Sequence, residues 1–152
     1  MTSNLKPSKR NNPKLRDFLC FAIYSTNLTF GKAYKPVLDK IGLTYTQYII
    51  VIALWEEDNQ TVTSLGDKVF LESNTLTPIL KKLQNLGYVR RERGTVDERQ
   101  VLISLTENGR LLRAKALGAG LSQACGLTDD EFSEARELLI RLRGNLLRAS
   151  AL

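Results

Sequence analysis

Residues 71–105 read LESNTLTPILKKLQNLGYVRRERGTVDERQVLISL, and how this stretch folds decides the architecture. Pro78 has no N–H to donate, which only the first turn of a helix can spare, so the spacing predicts a helix beginning around Ser73 to Thr75. Gly87 supplies its stop. Beyond it, YVRRERG and RQVLISLT predict two short strands flanking GTVDE, a β-hairpin with a charged tip. Just upstream, SLGDKVF predicts a shorter helix, parted from the second by LESNT.

Helix, short turn, helix and hairpin over residues 62–106 is the order of a helix-turn-helix followed by a wing, whose second helix lies in a DNA major groove. The short polar residues at that helix's start, Ser73, Asn74, Thr75 and Thr77, are the candidate readers of base edges and phosphates. Lys81 and Lys82 come one turn later, and Arg90, Arg91 and Arg93 load the first strand. Between Lys81 and Arg93 there are five cations and one anion, Glu92, a density suited to neutralising a phosphate backbone. At the tip, Asp97 is expected to orient the Arg99 guanidinium by a charge-assisted bond and present it to a minor groove or a phosphate. The competing reading is a solvated basic face on an ordinary helix-hairpin unit.

Working outward, Leu15, Phe18, Leu19, Ala22, Ile23, Phe30 and Ala33 fall on one side of a helical wheel, predicting an amphipathic helix to about Tyr34 that Pro36 ends or redirects. Thr44 and Gln47 have capping-box spacing and open a helix to about Glu57, whose middle, YIIVIALW, is apolar nearly all round and hence central and buried. After the hairpin a long helix is expected from Glu107 to Cys125. A final one opens at Thr128, with Glu131 completing a second capping box, and runs to about Ala149. The fold class is therefore mainly α with a small β component: a winged helix-turn-helix region at 61–106, N-terminal helices at 15–60 and C-terminal helices at 107–152. Residues 1–14, with Pro7, Pro13 and four Lys or Arg, read as a flexible basic arm.

Bulk properties narrow the function. In 152 residues, 22 Lys and Arg stand against 16 Asp and Glu, a formal charge of +6 that favours an anionic partner. There is no histidine, which removes the Ser-His-Asp triad, the Cys-His dyad and the commonest zinc sites, and no Gly-rich phosphate loop is present. No metal or cofactor is expected, and an enzyme reading starts weak. With no membrane-length apolar run and no signal-peptide pattern, the expectation is a cytoplasmic protein in which Cys20 and Cys125 are thiols rather than a structural disulfide. The terminal helices carry Leu111, Leu112, Ala114, Leu117, Leu121, Ala124, Phe132, Ala135, Leu138, Leu139, Leu142, Leu146 and Leu147. That is more apolar surface than a small wing domain can cover, so a homodimer is expected, with two recognition helices facing a pseudo-palindromic operator in double-stranded DNA.

The stretches LESNTLTPILKKLQNLGYVRR and VDERQVLISLTENGR, set in this order of helices, resemble the MarR family of bacterial transcription factors over about residues 15–149. With Cys20 in the first helix and tyrosines at 24, 34 and 45, the chain is similar to the organic hydroperoxide sensors (OhrR) within it, of the two-cysteine type. The wheel itself places Cys20 about 120° from the apolar stripe, on a second face with Tyr24, Asn27, Gly31 and Tyr34. A thiolate there is the reactive form, and phenol or amide donors stabilise it. The resemblance implies that Tyr34 and Tyr45 of the partner subunit are those donors, with Tyr24 nearby. It also implies that Cys125 captures the Cys20 sulfenic acid as an intersubunit disulfide.

The function implied is a repressor that binds its operator when reduced and leaves it when an organic hydroperoxide oxidises Cys20. On the residues alone other readings stay open: the tyrosines as aromatic core, Cys125 as packing at a helix corner, a repressor released by a phenolic ligand, a thiol peroxidase, or an architectural DNA binder.

Overall fold

The computed structural model describes residues 12–117 and 125–151. Most of the basic arm and the stretch just before Cys125 therefore lie outside the described residues. The elements run α1 (Leu19–Ile41), α2 (Tyr45–Glu56), β1 (Gln60–Thr61), α3 (Val62–Val69), α4 (Ser73–Asn85), β2 (Val89–Arg93), β3 (Val101–Leu105), α5 (Glu107–Leu117) and α6 (Asp129–Ser150). One turn of 3-10 helix, Leu15–Asp17, precedes α1. The chain divides into two compact units at Arg113/Ala114.

In the first unit, α2 is the central element. Thr44 accepts from the Gln47 N–H and the Gln47 side chain returns the bond to Thr44 N–H, a reciprocal cap that fixes where the helix starts despite its β-branched run. Ile50, Val51 and Leu54 are fully buried, as are Leu65 of α3, Leu76, Leu80 and Leu83 of α4 and Ile103 of β3. These residues are the shared core of helix-turn-helix and sheet. The sheet has order β1-β3-β2, all antiparallel, with Val89 opposite Leu105 and Arg93 opposite Val101. Both hairpin strands match the sequence expectation. The two-residue β1 is an addition, too short to leave an alternating pattern, and it pairs Gln60 with Ile103.

The first helix departs from expectation at Pro36, which lies inside α1 rather than ending it. Packing beyond the proline outweighs its missing bond: Leu38 and Ile41 are buried. The stop comes instead at Gly42, left-handed at φ 69°, where Gly42 N–H and Leu43 N–H turn back to the carbonyls of Asp39 and Leu38. Pro78 is likewise not in a first turn. The helix begins at Ser73 as the spacing predicts, but Pro78 sits in its second turn, so one backbone bond, to Asn74, is forgone. Gly87 does terminate α4, at φ 79° with Tyr88 N–H bonded to Leu83 O.

Two tethers absent from the sequence reading join these pieces. Asp58, just past α2, accepts from Leu105 N–H at 2.8 Å through one oxygen and pairs with Arg110 at 2.9 Å through the other. Trp55 Nε1 donates to Gly109 O at 2.9 Å. The start of α5 is thus fastened to the winged region, across the expected boundary at 106/107, and Leu112 is core there rather than dimer surface. Charge-assisted bonds of this kind carry about 1.5–3 kcal/mol each before solvent screening. Asp58→Ala is accordingly expected to cost about 2 kcal/mol, read as a lower urea midpoint at unchanged m-value.

In the second unit, α6 opens on the predicted box. Thr128 Oγ1 accepts from Glu131 N–H, and the Glu131 carboxylate accepts from Thr128 N–H at 2.8 Å. Those bonds hold its carboxyl below the usual glutamate range. None of the 22 residues of α6 is buried in the single chain.

Candidate functional site

The turn between α3 and α4 is built by Phe70, in a left-handed conformation at φ 59°, and by Leu71 N–H bonding back to Gly66 O. At Gly66 a Cβ would lie 2.6 Å from Leu71 O, so only glycine lets the two helices meet this closely. The effect is to present the start of α4 outward. Ser73, Asn74 and Thr75 are exposed, and so are Lys81 and Lys82 one to two turns on. Thr77 is half-buried and its hydroxyl donates to Ser73 O at 2.7 Å, leaving its oxygen lone pairs as the feature it offers a partner.

The wing corrects one expectation. Asp97 does not hold the Arg99 guanidinium; its carboxylate accepts from the Arg99 backbone N–H at 3.0 Å. A side chain two residues upstream reaches the backbone more readily than the far end of an arginine, which makes this an Asx turn. With Gly94 N–H bonded to Gln100 O and Gln100 N–H to Asp97 O, the tip is held by main-chain bonds. The Arg99 and Arg93 side chains are exposed.

Along α1, Cys20 is exposed and Tyr24, one turn later, is 62% exposed. Tyr34 belongs to a different neighbourhood. Its ring lies 5.5 Å from Tyr45 and 5.9 Å from Tyr48, with Phe30 at 6.1 Å, and Tyr48 continues the run edge-on to Trp55. Burial raises the pKa of the Tyr45 and Tyr48 phenols above its ordinary value, so both remain neutral hydrogen-bond donors. Fourteen residues of helix separate Cys20 from Tyr34, about 21 Å at 1.5 Å per residue. One protomer therefore keeps its own Cys20 and its own Tyr34 apart. Cys125 is half-buried, just ahead of α6 and in the other unit. The part of the expected helix that runs from the end of α5 to Cys125 lies outside the described residues.

A short first helix, a tight turn, an outward second helix and an arginine-bearing hairpin define a winged helix-turn-helix DNA-binding protein. Residues 32–115 match the family of SarA/Rot transcriptional regulators. The organic hydroperoxide resistance transcriptional regulator of Bacillus subtilis (strain 168) is 44% identical over 124 residues, covering 78% of this chain and 84% of that protein. The chain belongs to the MarR family of transcriptional regulators, on the branch of the organic hydroperoxide regulators.

Among solved structures, reduced AbfR bound to DNA superposes with a TM-score of 0.78 at 36% identity, covering 89% of this chain and 94% of that one. AbfR is a protein of Staphylococcus epidermidis. Its disulfide-formed state superposes with a TM-score of 0.63, again at 36% identity, covering 91% and 93%. The relatives are transcriptional regulators, so the thiol-peroxidase alternative gives way to a regulator. Among the described residues no single helix is long and apolar enough to cross a membrane.

Sequence reasoning missed Asp58, the Trp55 tether and the hydroxyl of Tyr88, which donates to Ile41 O at 3.0 Å and ties the end of α1 to the root of the wing. Each spans about fifty residues of chain, and no local pattern reports such a pair.

Proposed function

We propose that this chain is a homodimeric, redox-sensing repressor that holds operator DNA while Cys20 is a thiol. The observation that carries the reading is Cys20 itself, exposed on α1 one turn before the exposed Tyr24. The comparison with AbfR supports it. AbfR has been solved reduced and bound to DNA, overoxidized and bound to DNA, and with its disulfide formed.

The chemistry proceeds in two steps. The Cys20 thiolate attacks the outer oxygen of an organic hydroperoxide, the O–O bond breaks, and an alcohol leaves as sulfur becomes a sulfenic acid. Cys125 of the partner subunit then displaces that oxygen as water and forms an S–S bond. Tyr34, about 21 Å from Cys20 along α1 of the same chain, and Tyr45 packed against it act on Cys20 from the other subunit, with Tyr24 alongside. DNA is read by Ser73, Asn74, Thr75 and Thr77, with Lys81, Lys82, Arg93 and Arg99 on phosphates or in the minor groove and Asp97 setting the tip.

The dimer is supported by α6. Leu138, Leu139, Leu146 and Leu147 are each at least half exposed, and a stripe of that size calls for a partner surface. Its acidic residues gather in the first half, from Asp129 to Glu137, and its arginines lie mostly in the second, to Arg148. An antiparallel pairing with a second copy matches opposite charges, as a two-fold contact requires. The test is a non-reducing gel after treatment with one equivalent of cumene hydroperoxide. A dimer band that dithiothreitol dissolves and Cys125→Ser abolishes is expected; a monomer band throughout would remove Cys125 from the mechanism.

A further inference from the structure

Arg91 occupies an unusual position for a charged residue. It sits two residues after the buried Val89 on β2, on the same face of the strand, and directly opposite Ile103, which is fully buried. A core-facing register normally takes an apolar side chain. Here the arginine stem packs inward, and Nε is the one buried side-chain polar atom among the described residues with no hydrogen-bond partner. An unsatisfied buried donor is costly to the free protein, so its partner is to be sought outside the chain.

The surroundings say what that partner is. Arg91 lines an open cleft of about 680 Å³ between α3, the start of α4 and the wing. Arg99 stands on the wing side, Ser73 and Thr77 on the α4 side and Thr63 on α3, and Asp67 is the single acid. Two guanidinium groups with the hydroxyls of Ser73 and Thr63 are the donor set of an oxyanion site; the Thr77 hydroxyl already donates to Ser73 O. The cleft also lies between the two parts that enter DNA, the α4 start and the wing tip. A strand passing from the groove read by α4 to the groove touched by the wing crosses it.

We propose that the cleft is a phosphodiester clamp, in which Arg91 holds the DNA backbone phosphate lying between the major-groove helix and the wing. This deepens the DNA-binding reading and rests on it. A phosphate lodged there fixes the spacing of the two groove contacts and, by drawing the guanidinium outward into the cleft, gives a partner to the Nε donor that the free protein leaves buried and unpaired. It adds a contact that carries no base information, so affinity falls evenly over all sequences when it is lost.

The test compares the parent with Arg91→Gln and Arg91→Met on one operator across a range of KCl concentrations. Arg91→Gln is expected to bind about tenfold or more weakly. It should also have a log K against log [salt] slope shallower by about 0.9 per phosphate lost. Single methylphosphonate replacements scanned along the operator should weaken the parent at one position per half-site and leave Arg91→Gln unaffected at that same position. Thermal unfolding separates this from a structural role: Arg91→Met keeps the free protein's Tm or raises it.

A lowered Tm with an unchanged salt slope would overturn the clamp, as would a methylphosphonate scan in which no position is coupled to Arg91. Inorganic phosphate perturbing the cleft in the free protein, with no coupled position on DNA, would mark it as a general oxyanion site and equally overturn the proposal. A parent that binds no operator would instead sink the DNA-binding reading itself.

Discussion

Cys20→Ser protein is expected to keep its operator through a cumene hydroperoxide challenge that lowers the parent's affinity by about 10- to 100-fold, the span of ordinary coupling free energies. Serine preserves size and hydrogen bonding but has no accessible anion near neutral pH and no oxidation ladder, so it removes the input and leaves the dimer and the wing intact. In the reduced state, parent and variant should bind within about twofold of one another, since Cys20 is exposed and lies far from α4 in sequence. Measured by operator binding at fixed salt before and after oxidant, equal release of both proteins would end the Cys20 mechanism and leave a ligand-gated regulator as the reading to pursue.

A feature of the structure sharpens what the same experiment reports. The helix carrying Cys20 runs unbroken through Pro36 to Ile41, where the carbonyl accepts from Tyr88 at the root of the wing. Chemistry near one end of α1 is thus mechanically connected to the DNA-reading unit at the other. Ending the helix at Pro36, as the sequence alone suggests, would have put a hinge in that path.

How much of this was legible beforehand follows from the range of each signal. Capping boxes at Thr44 and Thr128, the glycine stop at Gly87 and the GTVDE turn between two short strand-like runs act within a few residues, and each element appears where its signal lies. The prolines misled because φ and the missing N–H are local, whereas burial of Leu38, Ile41 and Leu80 is not, and tertiary packing decides such contests. At the site, the polar start of α4 was readable as chemistry. The Asp97 partner was not, because a backbone N–H two residues away competes with a guanidinium and leaves no mark in composition. Arg91 was legible as charge and illegible as geometry: only the register opposite Ile103 shows that it points inward while Arg90 points out.

Gly109→Ala is expected to destabilise the protein by about 3 kcal/mol, at the upper end of what overpacking costs and a large share of the roughly 5–15 kcal/mol that holds a domain together. Gly109 lies on α5 with its Cα against the Tyr88 carbonyl oxygen, and a Cβ there would overlap that oxygen while standing 3.0 Å from Leu105 Cδ2. A flexible side-chain end could move aside; Tyr88 O cannot, because it already accepts from Thr106 N–H at 3.0 Å and belongs to the turn that joins α4 to β2. Relief must come from shifting α5 or the wing root. Shifting α5 strains the Trp55 bond to Gly109 O and the Arg110 pair with Asp58, and shifting the wing root strains the Tyr88 bond to Ile41 O. For a chain of this length about 3 kcal/mol corresponds to a Tm lower by roughly 10 °C, and operator affinity should fall with it as the wing leaves its position. Asn108→Ala, an exposed neighbour on the same helix, is the matched control and should stay within about 0.5 kcal/mol of the parent. A Gly109→Ala Tm within 2 °C of the parent's, about 0.5 kcal/mol on the same scale, would show that α5 can back away from Tyr88 freely and that these tethers do not fix the wing.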